Sequence, residues 1–180
     1  MCGICGEIRW DGQAADVGAV VRMTGAMTSR GPDSDGVVAH GPVAFGHRRL
    51  SIIDLSAHGA QPMVDSDLGL TLVFNGCIYN YKELRKELQA EGYRFFSTAD
   101  SEVVIKGFHK WGLRCVDRFK GMFAFAIADR DTGVVTLARD RLGIKPLYLA
   151  ASPGRVRFAS TVRALLRSGE IGRASCRERV

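Results

Sequence analysis

The chain has 180 residues, 46% of them hydrophobic and 24% charged, with a net charge of +6 and no low-complexity tract. These values describe a globular chain of about one domain and exclude fibrous, disordered and collagen-like classes. No stretch approaches the roughly 20 apolar residues of a membrane helix, and the start, MCGICGEIRW, lacks the basic and apolar regions of a signal peptide, so a cytoplasmic location with no membrane partner is expected. Lys and Arg are spread along the chain without a run of five like charges, which argues against nucleic acid as a partner.

Residues 2–10 read as a strand closed by the turn Asp11-Gly12, and 17–28 place Val17, Val20, Val21, Met23, Ala26 and Met27 close to helical spacing. Residues 43–49 and 70–74 read as strands. A helix over 81–91 carries Leu84 and Leu88 at i, i+4, with Asn80 placed to cap it and Gly92 to end it. The next helix covers 100–111. Two apolar runs, 122–128 and 134–138, flank Asp129-Arg130-Asp131-Thr132-Gly133 as a hairpin, and 160–168 can form a last helix. The pattern is α+β with mainly antiparallel strands, and two stacked sheets covered by helices would bury every apolar face.

The last eleven residues, EIGRASCRERV, are unlike what precedes them and resemble the translation of a sequencing adapter. Residues 1–169 are therefore expected to form the domain and 170–180 to be an artefact unsupported by the core, with Cys176 without function. The tail holds three Arg and two Glu, so without it the charge is +5. The natural chain is expected to be longer, with a further domain after this one.

The most informative residue is Cys2. Excision of Met1 leaves a thiol beside a free α-amine, and the two groups titrate near enough to each other, at about 8.5 and 7.7–8.0, for the amine to take the thiol proton directly or through water. An ordinary buried cysteine is the plain alternative. A C-x-x-C redox or zinc site is the sharper one, because Cys2-Gly3-Ile4-Cys5 has that spacing. Structural zinc wants four ligands, however, and no second C-x-x-C follows, so no metal site is expected.

Seven segments now carry a resemblance: Met1-Cys2-Gly3-Ile4, Arg30-Gly31-Pro32-Asp33, His47-Arg48-Arg49-Leu50-Ser51-Ile52-Ile53-Asp54, Gln61-Pro62-Met63, Phe74-Asn75-Gly76, Gly121-Met122-Phe123-Ala124-Phe125 and Arg139 through Tyr148. In this order they resemble the class II glutamine amidotransferases, closest to the asparagine synthetase branch. The resemblance implies an N-terminal-nucleophile (Ntn) hydrolase fold, a four-layer αββα sandwich, and L-glutamine as substrate. It implies a Cys2 thioester that releases ammonia and is hydrolysed to glutamate. It also implies an oxyanion hole from Asn75 and Gly76, an α-carboxylate site at Arg49 with the Leu50, Ser51, Ile52 and Ile53 segment, and an α-ammonium site at Asp100. Cys77 stands beside these where the family usually has an acidic residue, leaving Asp100 that task alone. An Asn-Gly pair is otherwise a common turn, and an aspartate opening a helix a common cap.

No cofactor is expected in this domain. ATP and Mg2+ are implied for a C-terminal synthetase domain that would use the ammonia to amidate a carboxylate. Details such as Asn75-Gly76-Cys77-Ile78-Tyr79-Asn80-Tyr81 resemble the N-acetylglutaminylglutamine amidotransferase subgroup, so the acceptor is either aspartate or that dipeptide. An inactive structural domain of the same fold and a C-x-x-C metal module are the alternatives. The sequence leaves the oligomeric state open.

Overall fold

The computed structural model describes residues 1–169; the expectations for 170–180 lie outside the described residues. Among the described residues nine strands form two antiparallel sheets. The first contains β1 (Gly3–Arg9), β2 (Ser34–His40), β3 (Val43–Arg49), β8 (Tyr148–Ser152) and β9 (Arg155–Ala159), in the order β2-β3-β1-β9-β8. The second runs β4 (Met63–Asp65), β5 (Leu70–Ile78), β6 (Gly121–Asp129), β7 (Val135–Arg139), in that order. Helices α1 (Val17–Gly25) and α5 (Val162–Arg167) cover the first sheet, while α2 (Tyr81–Ala90), α3 (Asp100–Trp111) and the short α4 (Cys115–Arg118) cover the second.

Strand alternation builds the layers. Ile4, Phe45 and Phe158 point from the first sheet onto Val73, Ala124 and Ala126 of the second, filling the space between the sheets. The neighbours Cys5, Ala44 and Ala159 point the other way, onto Val20 and Met23 of α1 and Leu165 of α5. Leu72, Phe74, Phe125 and Ile127 likewise leave the inter-sheet layer for Leu84, Leu88 and Val104. The result is the four-layer αββα sandwich expected of the resemblance.

Several elements differ from the sequence reading. β5 does not stop at Phe74 but continues through Asn75 and Gly76 to Ile78, paired with β6 throughout. A Cβ on Gly76 would stand 2.5 Å from the Met122 carbonyl oxygen, so this glycine serves close approach across a ladder and the Asn-Gly pair makes no turn. Asn80 does not cap α2; its amide donates to the Arg118 carbonyl and its Oδ1 accepts from Lys120 N, tying α2 to the strand β6 that follows. Gly92, at φ +92°, does end that helix. α1 stops at Gly25 and its expected last turn is irregular. Strands β2, β4, β8 and β9 were not expected. β9 hides because Arg157, buried at a core-facing position, is paired with the equally buried Glu7 of β1 at 2.5 Å.

Candidate active site

One end of the inter-sheet layer opens into a cleft of about 330 Å³. Cys2, Arg49, Leu50, Ser51, Ile52, Ile53, Asn75, Gly76, Cys77 and Asp100 all line it, so the structure brings together every site residue expected from the sequence. They come from the start of β1, the loop after β3, the end of β5 and the start of α3. Ile52 reaches the rim and is largely exposed.

Cys2 lies one residue before β1 and shares the inter-sheet side with Ile4. Leu50 N donates to its Sγ at 3.4 Å, and the Leu50 carbonyl oxygen lies 3.6 Å from Sγ. Its carbonyl accepts from Arg30 Nε at 3.0 Å. Cys5 is on the opposite face, buried against α1 in contact with Thr24, and burial pushes its thiol up to about 12. The C-x-x-C spacing therefore sends its two sulfurs to different layers, and the described residues hold no cluster of three His, Cys, Asp or Glu suited to a metal ion. Cys115 is also pushed up to about 12 by burial, and Cys77 is raised by burial first and by Asp100 second.

β5 supplies the facing wall. Asn75 follows Val73 on the inter-sheet side, is only 1% exposed, and its side-chain Nδ2 has no hydrogen-bond partner. A buried amide donor without an acceptor is costly, by about 1–3 kcal/mol. Along the edge of the same strand, Phe74 N donates to Gln61 Oε1 at 2.7 Å and Ile78 N to Asp100 Oδ2 at 2.9 Å. Ladder alternation turns the Gly76 N–H, between them, toward that edge and away from β6. Asp100 is buried at the first residue of α3, and burial raises its carboxyl against the opposing pull of the Ile78 bond.

The third wall is the loop after β3. The Arg49 guanidinium is held by the carbonyls of Ser56, at 2.9 Å, and Asp54. The Asp54 carboxylate accepts from Ser56 and from Thr98 N and Oγ1, which couples this loop to the turn before α3 and holds the carboxyl well below its ordinary value. Asp33 accepts from Ser51 N at 2.7 Å. Underneath, His47 is fully buried and burial pushes its imidazole down to about 4. Its Nε2 meets the Phe74 carbonyl at 3.2 Å, so that nitrogen carries the proton, and Nδ1 has no partner.

The sequence reading assigned no role to Arg30, Asp33, His47, Asp54, Gln61 or Lys145, although each lies in a quoted motif. That membership was the available signal; what each touches depends on partners distant in the chain.

A family described as a glutamine amidotransferase domain matches residues 1–179. Asparagine synthetase [glutamine-hydrolyzing] 3 of Bacillus subtilis (strain 168) is 38% identical over 174 residues, covering 95% of this chain and 28% of the relative. Asparagine synthetase [glutamine-hydrolyzing] 1 of the same organism is 41% identical over 169 residues, covering 92% and 27%. The chain thus spans little more than a quarter of these relatives. Among solved structures, glutamine phosphoribosylpyrophosphate amidotransferase from B. subtilis superposes with a TM-score of 0.78 at 21% identity, covering 93% of this chain and 44% of that one. At that identity the likeness shows the fold, which is that of the Ntn amidotransferases.

Proposed function

The chain belongs to the glutamine amidotransferase domain family and is a glutamine-hydrolysing enzyme domain, and from that premise we propose how its cleft acts and what it serves. With Met1 excised, the α-amine of Cys2 accepts the thiol proton and Sγ attacks the side-chain carbonyl of glutamine. The oxyanion is received by Asn75 Nδ2–H and Gly76 N–H. The amine then protonates the departing nitrogen, ammonia leaves, and water cleaves the thioester to glutamate. The single observation that carries this reading is the unpartnered, fully buried Asn75 Nδ2 in the cleft that holds Cys2: an idle donor held in advance where negative charge develops is how such sites lower a barrier.

The substrate's ends have matching groups. Arg49 spends part of its donor set on the Ser56 and Asp54 carbonyls, which fix the plane of the guanidinium, and its remaining N–H groups can take the α-carboxylate. Asp100 takes the α-ammonium, and the pairing would offset the burial that raises its carboxyl. Cys77 borders this end as a neutral thiol. In the whole protein the ammonia would serve an ATP- and Mg2+-dependent amidation of a carboxylate, aspartate or N-acetylglutaminylglutamine, in a C-terminal synthetase domain; this chain contributes no step there. Incubation of the Met1-free chain with glutamine and no ATP tests the reading: glutamate and ammonia in equal amounts are expected, and no turnover above the buffer blank would refute it.

A further inference from the structure

Lys145 is a buried ammonium in the cleft, only 5% exposed, and the chemistry above gives it no task. Among the described residues its Nζ has one hydrogen-bond partner, the Met1 sulfur at 3.3 Å. The backbone that presents it is rigid. Asp140 accepts from Phe123 N, Ile144 N and Lys145 N, and the Arg139 guanidinium binds the carbonyls of Gly143 and Lys145. Gly143, at φ +64°, allows the tight turn between them. The hydrogen-bond partner of this lysine is thus the residue that processing removes. Excision of Met1 removes that partner and leaves the Lys145 ammonium and the new Cys2 α-amine lining the same cleft.

We propose that Lys145 is a positioning residue for the N-terminal base: in the processed chain its fixed positive charge holds the Cys2 α-amine in the neutral form that accepts the thiol proton. This rests on the reading of Cys2 given above. A like charge in a partly desolvated site disfavours protonation of its neighbour. The other charged and titratable groups around Cys2 act beside it. Arg30, bonded to the Cys2 carbonyl, keeps its charge and works in the same direction, while Arg49 is turned to the carbonyls of Ser56 and Asp54. The carboxylates of Asp54 and Asp100 favour the protonated amine, His47 is neutral, and the Cys77 thiol is raised. Lys145 thus joins Arg30 in offsetting the carboxylates, from the place that Met1 occupies before processing.

The test is a 15N titration of the Cys2 α-amine in Met1-free, cysteine-labelled protein. The wild-type midpoint is expected below the ordinary 7.7–8.0 for this group, at least about 0.5 unit higher in both Lys145→Met and Lys145→Gln, and back near wild type in Lys145→Arg. The acidic limb of kcat/KM should move with it, so the neutral variants lose about twofold or more at pH 7 and regain it by pH 9. Coincident midpoints for wild type and whichever neutral variant folds would overturn the proposal. The titration needs no turnover, so its outcome is distinct from failure of the Cys2 reading, which would appear as wild-type protein that does not hydrolyse glutamine.

Discussion

The space between the two sheets has two mouths, built from the same strands and lined differently. At one, β3 begins with Val43 and Phe45 and β5 with Leu70, around a cavity of about 380 Å³ rimmed by His40, Asp65, Asp129 and Arg130. At the other, the same strands end in His47 and Arg49 and in Asn75 and Cys77, around the smaller cleft with Cys2. The larger cavity is lined by no cysteine. Among the described residues the buried side-chain polar atoms without a partner are Arg30 Nη2, His47 Nδ1 and Asn75 Nδ2; Asn75 lines the Cys2 cleft, and Arg30 and His47 bind the carbonyls of Cys2 and Phe74, which also line it. Apolar burial stabilises the sandwich at one end; at the other the fold tolerates unmet hydrogen-bonding capacity, as active sites do when donors are held ready for a charge that appears only during reaction.

The strongest way to break this comparison is at the thiols. Cys2→Ala should reduce glutaminase activity by at least about 10⁴-fold, whereas Cys5→Ala, altering a thiol buried under α1, should retain most of it. Equal losses in a steady-state glutamate assay would remove the distinction between the two faces of β1. Next, Asn75→Ala should lower kcat by about 10²–10³-fold with little change in KM. Phe45→Ala, which deletes an edge-on contact with Phe158 at 5.6 Å, should cost about 3–5 kcal/mol in denaturant unfolding and leave kcat of the folded enzyme intact. A variant pair with these two effects exchanged would contradict the division of labour.

His47 sharpens the picture through pH. Its imidazole titrates lower folded than unfolded, so its contribution is complete above about pH 6.5 and is lost as the pH falls from there toward 4. The loss is on the order of 3 kcal/mol at full titration. Urea unfolding of His47→Gln should show a flatter dependence across that window, and an unchanged slope would deny His47 its buried neutral form. The smallest expected effect is at Asp100. Asp100→Asn should raise KM for glutamine about 10- to 100-fold, the worth of one charge-assisted bond, with kcat less affected; an unchanged KM would place the ammonium elsewhere.

What was legible in the sequence follows the range of the interactions. The helices were read where they lie, α3 at 100–111 to the residue and α1, α2 and α5 with ends one to three residues too long, because helical signals are local. The continuation of β5 through Asn75 and Gly76 was not, since the local preference of Asn-Gly for turns is overridden by pairing with Ala124 and Phe123, far along the chain. Asn80 was read as a cap for the same reason: its actual partners, Arg118 and Lys120, are 38 and 40 residues on. The site was visible as motifs, and the common cleft followed once the strands were stacked. The idle donor on Asn75 and the Met1–Lys145 contact were not visible, because both are properties of what surrounds a side chain.

The central claim is that Cys2, freed of Met1, is the nucleophile toward a glutamine side chain. Its most direct measurement is the intact mass and peptide map of the protein after exposure to a glutamine-analogue electrophile. The account predicts a chain lacking Met1 and carrying one adduct, located on Cys2 and prevented by excess glutamine. An adduct on Cys77 or Cys5, or labelling of Cys2 that glutamine does not protect, would contradict it.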